Sequence, residues 1–213
     1  NHMNYDSSKT EVPQTFSSSL WSSALKCDLT DSGETLLFSD DFSWTTNINS
    51  QYPYTDWLNT YCTVDKSIRF DYMISEGTVD MNGWGYPSST KKSIYVRPGY
   101  IQMNSSSALG AAVTPAFSML EAPTDVKISF DACGFYQYFS GVMDTSRIIN
   151  VEIVGSGTFA DGSNVLSITL ERSDAWQDCT ATILSASSDT YLVIGTGAAS
   201  KNRVFFDNFR LAK

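Results

Sequence analysis

Val126-Lys127-Ile128-Ser129-Phe130-Asp131 alternates apolar and polar side chains one for one. A period of two puts Val126, Ile128 and Phe130 on one face of an extended strand, and Lys127, Ser129 and Asp131 on the other. One face on a core and one toward water is the signature of an antiparallel sheet. Ile149-Asn150-Val151-Glu152-Ile153 repeats the pattern. Further short apolar stretches punctuate the chain between Gly, Ser, Asn and Asp clusters: Leu36-Leu37-Phe38, Ala116-Phe117-Ser118-Met119-Leu120, Val165 to Leu170, Thr180 to Leu184 and Tyr191 to Ile194. Ser93 to Val96 and Tyr100 to Met103 flank Pro98-Gly99, a turn pair that predicts a hairpin. Arg203 to Leu211 forms the last strand, with Phe205, Phe209 and Leu211 expected on one face. No long stretch carries a 3.6 period. About nine or ten strands with few helices predict an all-β fold, a two-sheet antiparallel β-sandwich of jelly-roll type.

The composition agrees with that class. The chain has 213 residues, enough for a substantial core, and 42% of them are hydrophobic. Charged residues make up only 17%, so Ser, Thr, Asn and Tyr must cover much of the surface. Fourteen basic against 23 acidic side chains give a net charge of -9, which repels a phosphate backbone and excludes nucleic acid as a natural partner. No apolar run approaches the ~18 residues of a membrane-spanning helix. The single histidine is His2, inside Asn1-His2-Met3, which reads as a cloning scar. Without it, Ser-His-Asp triads, Cys-His dyads and His-ligated zinc are all excluded. Cys27, Cys62, Cys133 and Cys179 contain no CxxC spacing. Fully paired they allow three connectivities; one or two bridges, or buried thiols, are the open readings.

Residues 1–33 are polar and Ser-rich and read as a tag remnant followed by a linker or leader; 34–213 are expected to form one sandwich domain. Residues 43–92 differ in texture. Trp44, Tyr52, Tyr54, Trp57, Tyr61, Tyr72, Trp84 and Tyr86 fall there with little regular alternation, which predicts loops laid over one sheet or one end of the sandwich.

Several fragments, in order, resemble the galactose-binding-like jelly rolls of secreted bacterial polysaccharide-utilisation proteins. Leu37-Phe38-Ser39-Asp40-Asp41-Phe42-Ser43-Trp44 is similar to their opening strand. Gly99-Tyr100-Ile101-Gln102-Met103, Gly110 and Thr114-Pro115-Ala116-Phe117 resemble their middle. Val126 to Ala132, Ile153-Val154-Gly155-Ser156-Gly157 and Trp176 follow in the expected order. Arg203-Val204-Phe205-Phe206-Asp207-Asn208-Phe209-Arg210-Leu211 resembles the terminal strand. The resemblance implies the same fold over residues 36–213, with the first and last strands adjacent. It also implies a carbohydrate-binding role in a secreted, periplasmic or cell-surface protein, acting as a monomer. A structural calcium that ties the first strand to the last is implied at Asp41, Asp40 and Asp207.

The residues add their own expectations. A sugar presents flat C–H faces ringed by hydroxyls, and proteins read it with aromatic rings and polar edges. Trp57, Trp84 and Tyr86 lie in the loop-like region beside Asn59, Asn82 and Asp80, and are expected to form that platform, against the alternative that the rings close the core. Asn82-Gly83-Trp84-Gly85-Tyr86 supplies no bulk to cover Trp84. Tyr136 and Tyr138 are expected on the same binding face. Clustered carboxylates repel one another, so Asp40, Asp41 and Asp207 call for a cation or an Arg, with Arg203 and Arg210 as neutralisers. The competing enzymatic reading, a glycoside hydrolase or lyase, needs paired carboxyls, for which Glu152 and Asp131 are candidates. A third reading is a structural or adhesive surface domain.

Overall fold

The computed structural model describes residues 33–45, 62–63, 67–69, 81–136, 141–173, 175–198 and 201–213. Leu36–Lys213 form one compact unit. The unit holds strands β1 (Leu36–Asp40), β2 (Cys62–Thr63), β3 (Ser67–Arg69), β4 (Ile94–Arg97), β5 (Tyr100–Met103), β6 (Ala111–Val113) and β7 (Thr124–Gly134). It continues with β8 (Ile148–Val154), β9 (Thr158–Phe159), β10 (Val165–Thr169), β11 (Gln177–Ala186), β12 (Tyr191–Gly195) and β13 (Val204–Ala212). Among the described residues the helical content is two short 3-10 turns, Ser43–Thr45 and Ser89–Lys91, and no helix is long and apolar enough to cross a membrane.

The strands form the expected two antiparallel sheets. The larger follows the order β2-β3-β4-β5-β13-β7-β11-β9, with β1 also on β13; the smaller is β10-β8-β12-β6. First and last strands are neighbours: Asp40 lies opposite Phe209 and Leu36 opposite Ala212. Pro98-Gly99 closes the β4–β5 hairpin between Arg97 and Tyr100, with Gly99 at φ +84 as that turn requires. The core lies between the sheets. Val126, Ile128, Phe130 and Ala132 of β7 face Ile149, Val151 and Ile153 of β8 and Leu192 and Ile194 of β12, as alternation dictates.

Two expectations need correction. Ala116 to Leu120 is not a strand; β6 is the preceding Ala111–Val113. Pro115 has no N–H to give a ladder, and the segment instead plugs the core with Phe117 and Leu120. The second concerns β13. A bulge between Asp207 and Arg210, with Asn208 at φ +50, inserts a residue into the alternation. Phe206, not Phe205, therefore shares the core face with Phe209 and Leu211, while Phe205 turns to the opposite face of the larger sheet.

That opposite face carries a second apolar cluster of Cys133, Phe135 and Phe205, with Tyr100 and Tyr136 packed against it. Cys179 faces the main core from β11 while Cys133 faces the other side from β7, so the two do not bridge. Burial, then the nearby Asp178 and Asp131, pushes the Cys179 thiol up to about 11.

Candidate functional site

The residues expected to form a sugar platform separate in the structure. Trp84 is only 3% exposed and belongs to the core. Its ring lies 5.2 Å from Phe42, 6.0 Å from Phe206 and 5.4 Å from Phe209, the last edge-on at 88°. Its indole N–H donates to Asp40 Oδ2 at 2.9 Å. The flanking glycines serve this packing rather than projection: Gly83 is at φ +82, and a Cβ there would meet the Pro115 ring at 2.8 Å. Tyr86 packs, partly buried, against the same core. Tyr136 belongs to the second cluster outside the larger sheet. Trp57, Tyr138, Asn59 and Asp80 lie outside the described residues.

Asp40 is likewise structural. It is 4% exposed, and both its oxygens are filled. The Phe42 N–H donates to Oδ1 at 2.7 Å, the Trp44 indole reaches both oxygens at 3.1–3.2 Å, and Asn82 Nδ2 donates to Oδ2 at 2.9 Å beside Trp84. A carboxylate with this many donors has no lone pair left for calcium. Asp41, just past β1, accepts the Ser43 N–H in its own turn, and the Ser43 hydrogen bonds hold its carboxyl below the ordinary range. Asp207 lies opposite Asp131, which in turn lies opposite Asp178 on β11. Burial pushes Asp207 up to about 6, with the charges of Asp131, Asp41 and Asp40 adding to the effect. Among the described residues no three His, Cys, Asp or Glu side chains are grouped to hold a metal ion. The donor set therefore does not fit the calcium site that the resemblance implies. Nor does Arg203 neutralise these aspartates. It grips Asp144 instead, through Nε at 2.9 Å and Nη2 at 2.8 Å, with its guanidinium 3.5 Å from the Phe135 ring centre.

A cavity of about 230 Å³ opens on the outer face of the smaller sheet. Its floor follows from alternation. Ile149, Val151 and Ile153 point into the core, so Asn150 and Glu152 point out. Glu152 lies opposite Val193 on β12 and Val165 on β10; Asn150 lies opposite Gly195 and Ser167. Gly195 in turn pairs with Ala111 of β6. The two smallest side chains thus sit together beside a carboxylate and an amide, and that leaves the hollow. A Cβ on Gly195 would stand 2.9 Å from the Ala111 Cβ.

Lys91, Leu109, Gly110 and Thr196 complete the lining. Lys91 is brought there by a bridge between Lys92 and Gly110 and by the Ser93 N–H on Leu109 O. Gly110 permits this approach, because a Cβ there would fall 1.9 Å from the Ser93 carbonyl oxygen. The same end is clasped by Asn104, which is fully buried. Its Oδ1 accepts the Gly110 N–H at 2.7 Å, and its Nδ2 donates to Thr196 Oγ1, Ala198 O and Asn202 O. Asn150 Oδ1 accepts the Ser167 hydroxyl at 2.6 Å, which fixes the amide and turns its N–H groups to other partners.

Glu152 and Asp131, weighed in the sequence as a catalytic pair, lie on different sheets and are not brought together. The sequence did not mark Asn104, Gly110 or Gly195 as groove residues. The signal available was Asn104 before a Ser run and Gly110, but nothing local marks a side chain that clasps a segment more than 90 residues away.

No family model matches the chain, and no curated protein matches it. Solved structures that superpose on it include the ligand-free BiXyn10A CBM1, at 12% identity and a TM-score of 0.42, covering 71% of this chain and 99% of that one. The CBM22-1 xylan-binding domain of Paenibacillus barcinonensis Xyn10C superposes at 9% identity and 0.39, covering 83% and 93%. The K1 cleaved adhesin domain of Lys-gingipain from Porphyromonas gingivalis W83 does so at 17% and 0.40, covering 68% and 88%.

Proposed function

We propose that this chain is a non-catalytic carbohydrate-binding domain of a secreted or cell-surface protein, and that it holds a sugar unit in the groove over the smaller sheet. The observation that carries this reading is the juxtaposition of Glu152 and Asn150 with the Gly195–Ala111 hollow. A carboxylate accepts two hydrogen bonds from neighbouring hydroxyls, and an oriented amide donates to others. Val193, Val165 and Leu109 supply apolar surface for C–H groups. The volume lies below the ~300–1,000 Å³ of drug-sized pockets, which suits one unit of a longer chain rather than a buried oligosaccharide.

Binding is favoured over cleavage by the lining itself. Glu152 is the one carboxylate among the described lining residues, and hydrolysis by paired acids needs a second at about 5–10 Å. The net charge of -9 disfavours polyanionic polysaccharides, so the ligand is a neutral glycan.

A glycan array probed with the full chain and with Glu152→Ala tests the reading. The expected result is a set of neutral glycans bound by the parent and bound more weakly by the variant, with no reducing sugar released. An array on which both proteins bind the same glycans equally well would refute the groove.

A further inference from the structure

The face of the larger sheet that points away from the core is built unlike an ordinary solvated sheet face. Register places Phe205 between Gln102 and Cys133, and Asp207 beside Asp131, which is beside Asp178. Directly opposed residues in a sheet share a face, so the Gln102–Phe205–Cys133 row and the carboxylate row run side by side across neighbouring strands. Trp176, just before β11, packs on Phe205 and Tyr100. Its ring is 6.4 Å from Phe205 at 31° and 5.9 Å from Tyr100, edge-on at 84°. Yet Trp176 remains 48% exposed, the only tryptophan among the exposed large hydrophobics of the described residues. A half-exposed indole held on two rings is a rigid stacking surface that costs little order on binding.

We infer that this face is a second ligand site, in which Trp176 stacks on the ring of a neutral sugar while Asp178 and Asp131 accept its hydroxyls. The inference goes beyond the groove and rests on separate residues on the opposite sheet. The charge pattern selects the occupant. A polyanion is repelled by three carboxylates in line. A cation stacked on the rings is disfavoured because they already hold one: the Arg97 guanidinium sits 5.7 Å from the Tyr100 centre and 5.2 Å from that of Phe205. What suits donors and acceptors of both kinds beside an apolar ring is a polyhydroxylated, uncharged pyranose. Two sites on opposite faces would let one domain hold two glycan strands, or two segments of one, with a gain in avidity on polymeric ligand.

The test is a heteronuclear NMR titration of the full chain with neutral hexaoses of glucose, xylose, mannose and galactose, and with a chitosan oligomer as the cationic control. The indole N–H of Trp176, assigned by its loss in Trp176→Ala, reports this site; the Val193 and Gly195 amides report the groove. The expected result is that a neutral hexaose moves the Trp176 resonance. Trp176→Ala should weaken binding at this face about tenfold or more, since a ring contact is worth about one factor of ten. Trp176→Phe should restore most of the loss, Asp178→Asn should weaken the same site, and Glu152→Ala should leave the Trp176 shift intact. A Trp176 resonance unmoved at millimolar hexaose, or moved by the chitosan oligomer alone, overturns the inference. Movement of the groove amides alone leaves the first site standing, and movement of Trp176 alone removes the groove and keeps this one.

Discussion

The indole of Trp84 donates its N–H to Asp40 Oδ2 at 2.9 Å, across 44 residues of sequence. That bond joins the end of β1 to the loop before the 3-10 turn Ser89–Lys91, and it sits on top of the Phe42–Phe206–Phe209 stack. Asp40 gathers Trp44 and Asn82 as well, so one carboxylate closes an end of the sandwich core.

Truncating Trp84 should therefore cost stability. Trp84→Ala is expected to lose about 3–5 kcal/mol, the usual range for a buried aromatic. At ~2–4 °C per kcal/mol for a domain of this size, that lowers the melting temperature by roughly 6–20 °C. Asp40→Ala leaves buried donors unpaired, at about 1–3 kcal/mol each where they find no water. A double-mutant cycle of Asp40→Asn with Trp84→Phe, read by chemical denaturation, should show coupling of about 0.5–3 kcal/mol. Additive effects would mean that the bond is not made in solution.

Asp207 makes stability depend on pH in an unusual sense for a carboxylate. Its folded pKa is pushed up to about 6, above the ordinary carboxylate value. The folded state therefore holds the proton more tightly than the unfolded one. The stabilisation is complete below about pH 4 and is lost as pH rises through about 6. Thermal melts in EDTA from pH 4 to 8 should show this falling limb beneath the contributions of other groups. Asp207→Asn should flatten it and raise the melting temperature at pH 8. An unchanged profile in the variant would place the titration elsewhere.

Asn104 is expected to link fold and groove. It is fully buried, sits at φ +69 and ties Gly110 to the 196–202 segment. Asn104→Ala should destabilise through both lost hydrogen bonds and the strained backbone. Asn104→Gly relieves the backbone and keeps the loss of bonds. Both should weaken ligand binding in the groove. Asn104→Gly with parental stability and parental affinity would show that the clasp is dispensable.

Much of the fold was legible because alternation is a local property. Val126 to Asp131 and Ile149 to Ile153 showed their buried faces directly, and the terminal motifs placed β1 beside β13. What escaped was set by non-local geometry. The bulge at Asp207–Arg210 adds one residue to the period and exchanges the roles of Phe205 and Phe206. Trp84 looked projected because glycines flank it, but those glycines allow close approach to Pro115. The Asp40-Asp41 pair looked like a cation site, yet its first member is saturated by indole and amide donors from residues 44, 82 and 84. Glu152 was visible as a mid-strand acid. The hollow beside it was not, because it depends on Gly195 meeting Ala111 across a strand pair.

The proposed groove places a sugar against Glu152 over the smaller sheet. The most direct measurement is an NMR titration of the parent chain and of Glu152→Ala with the best neutral oligosaccharide from the array, followed at the Val193 and Gly195 amides. A hydrogen bond to a charged group is worth about 1.5–3 kcal/mol, so the variant should bind at least about tenfold more weakly there, with its melting temperature unchanged. Equal affinity of the two proteins at those amides, or no movement of the amides when the glycan binds, would contradict the account.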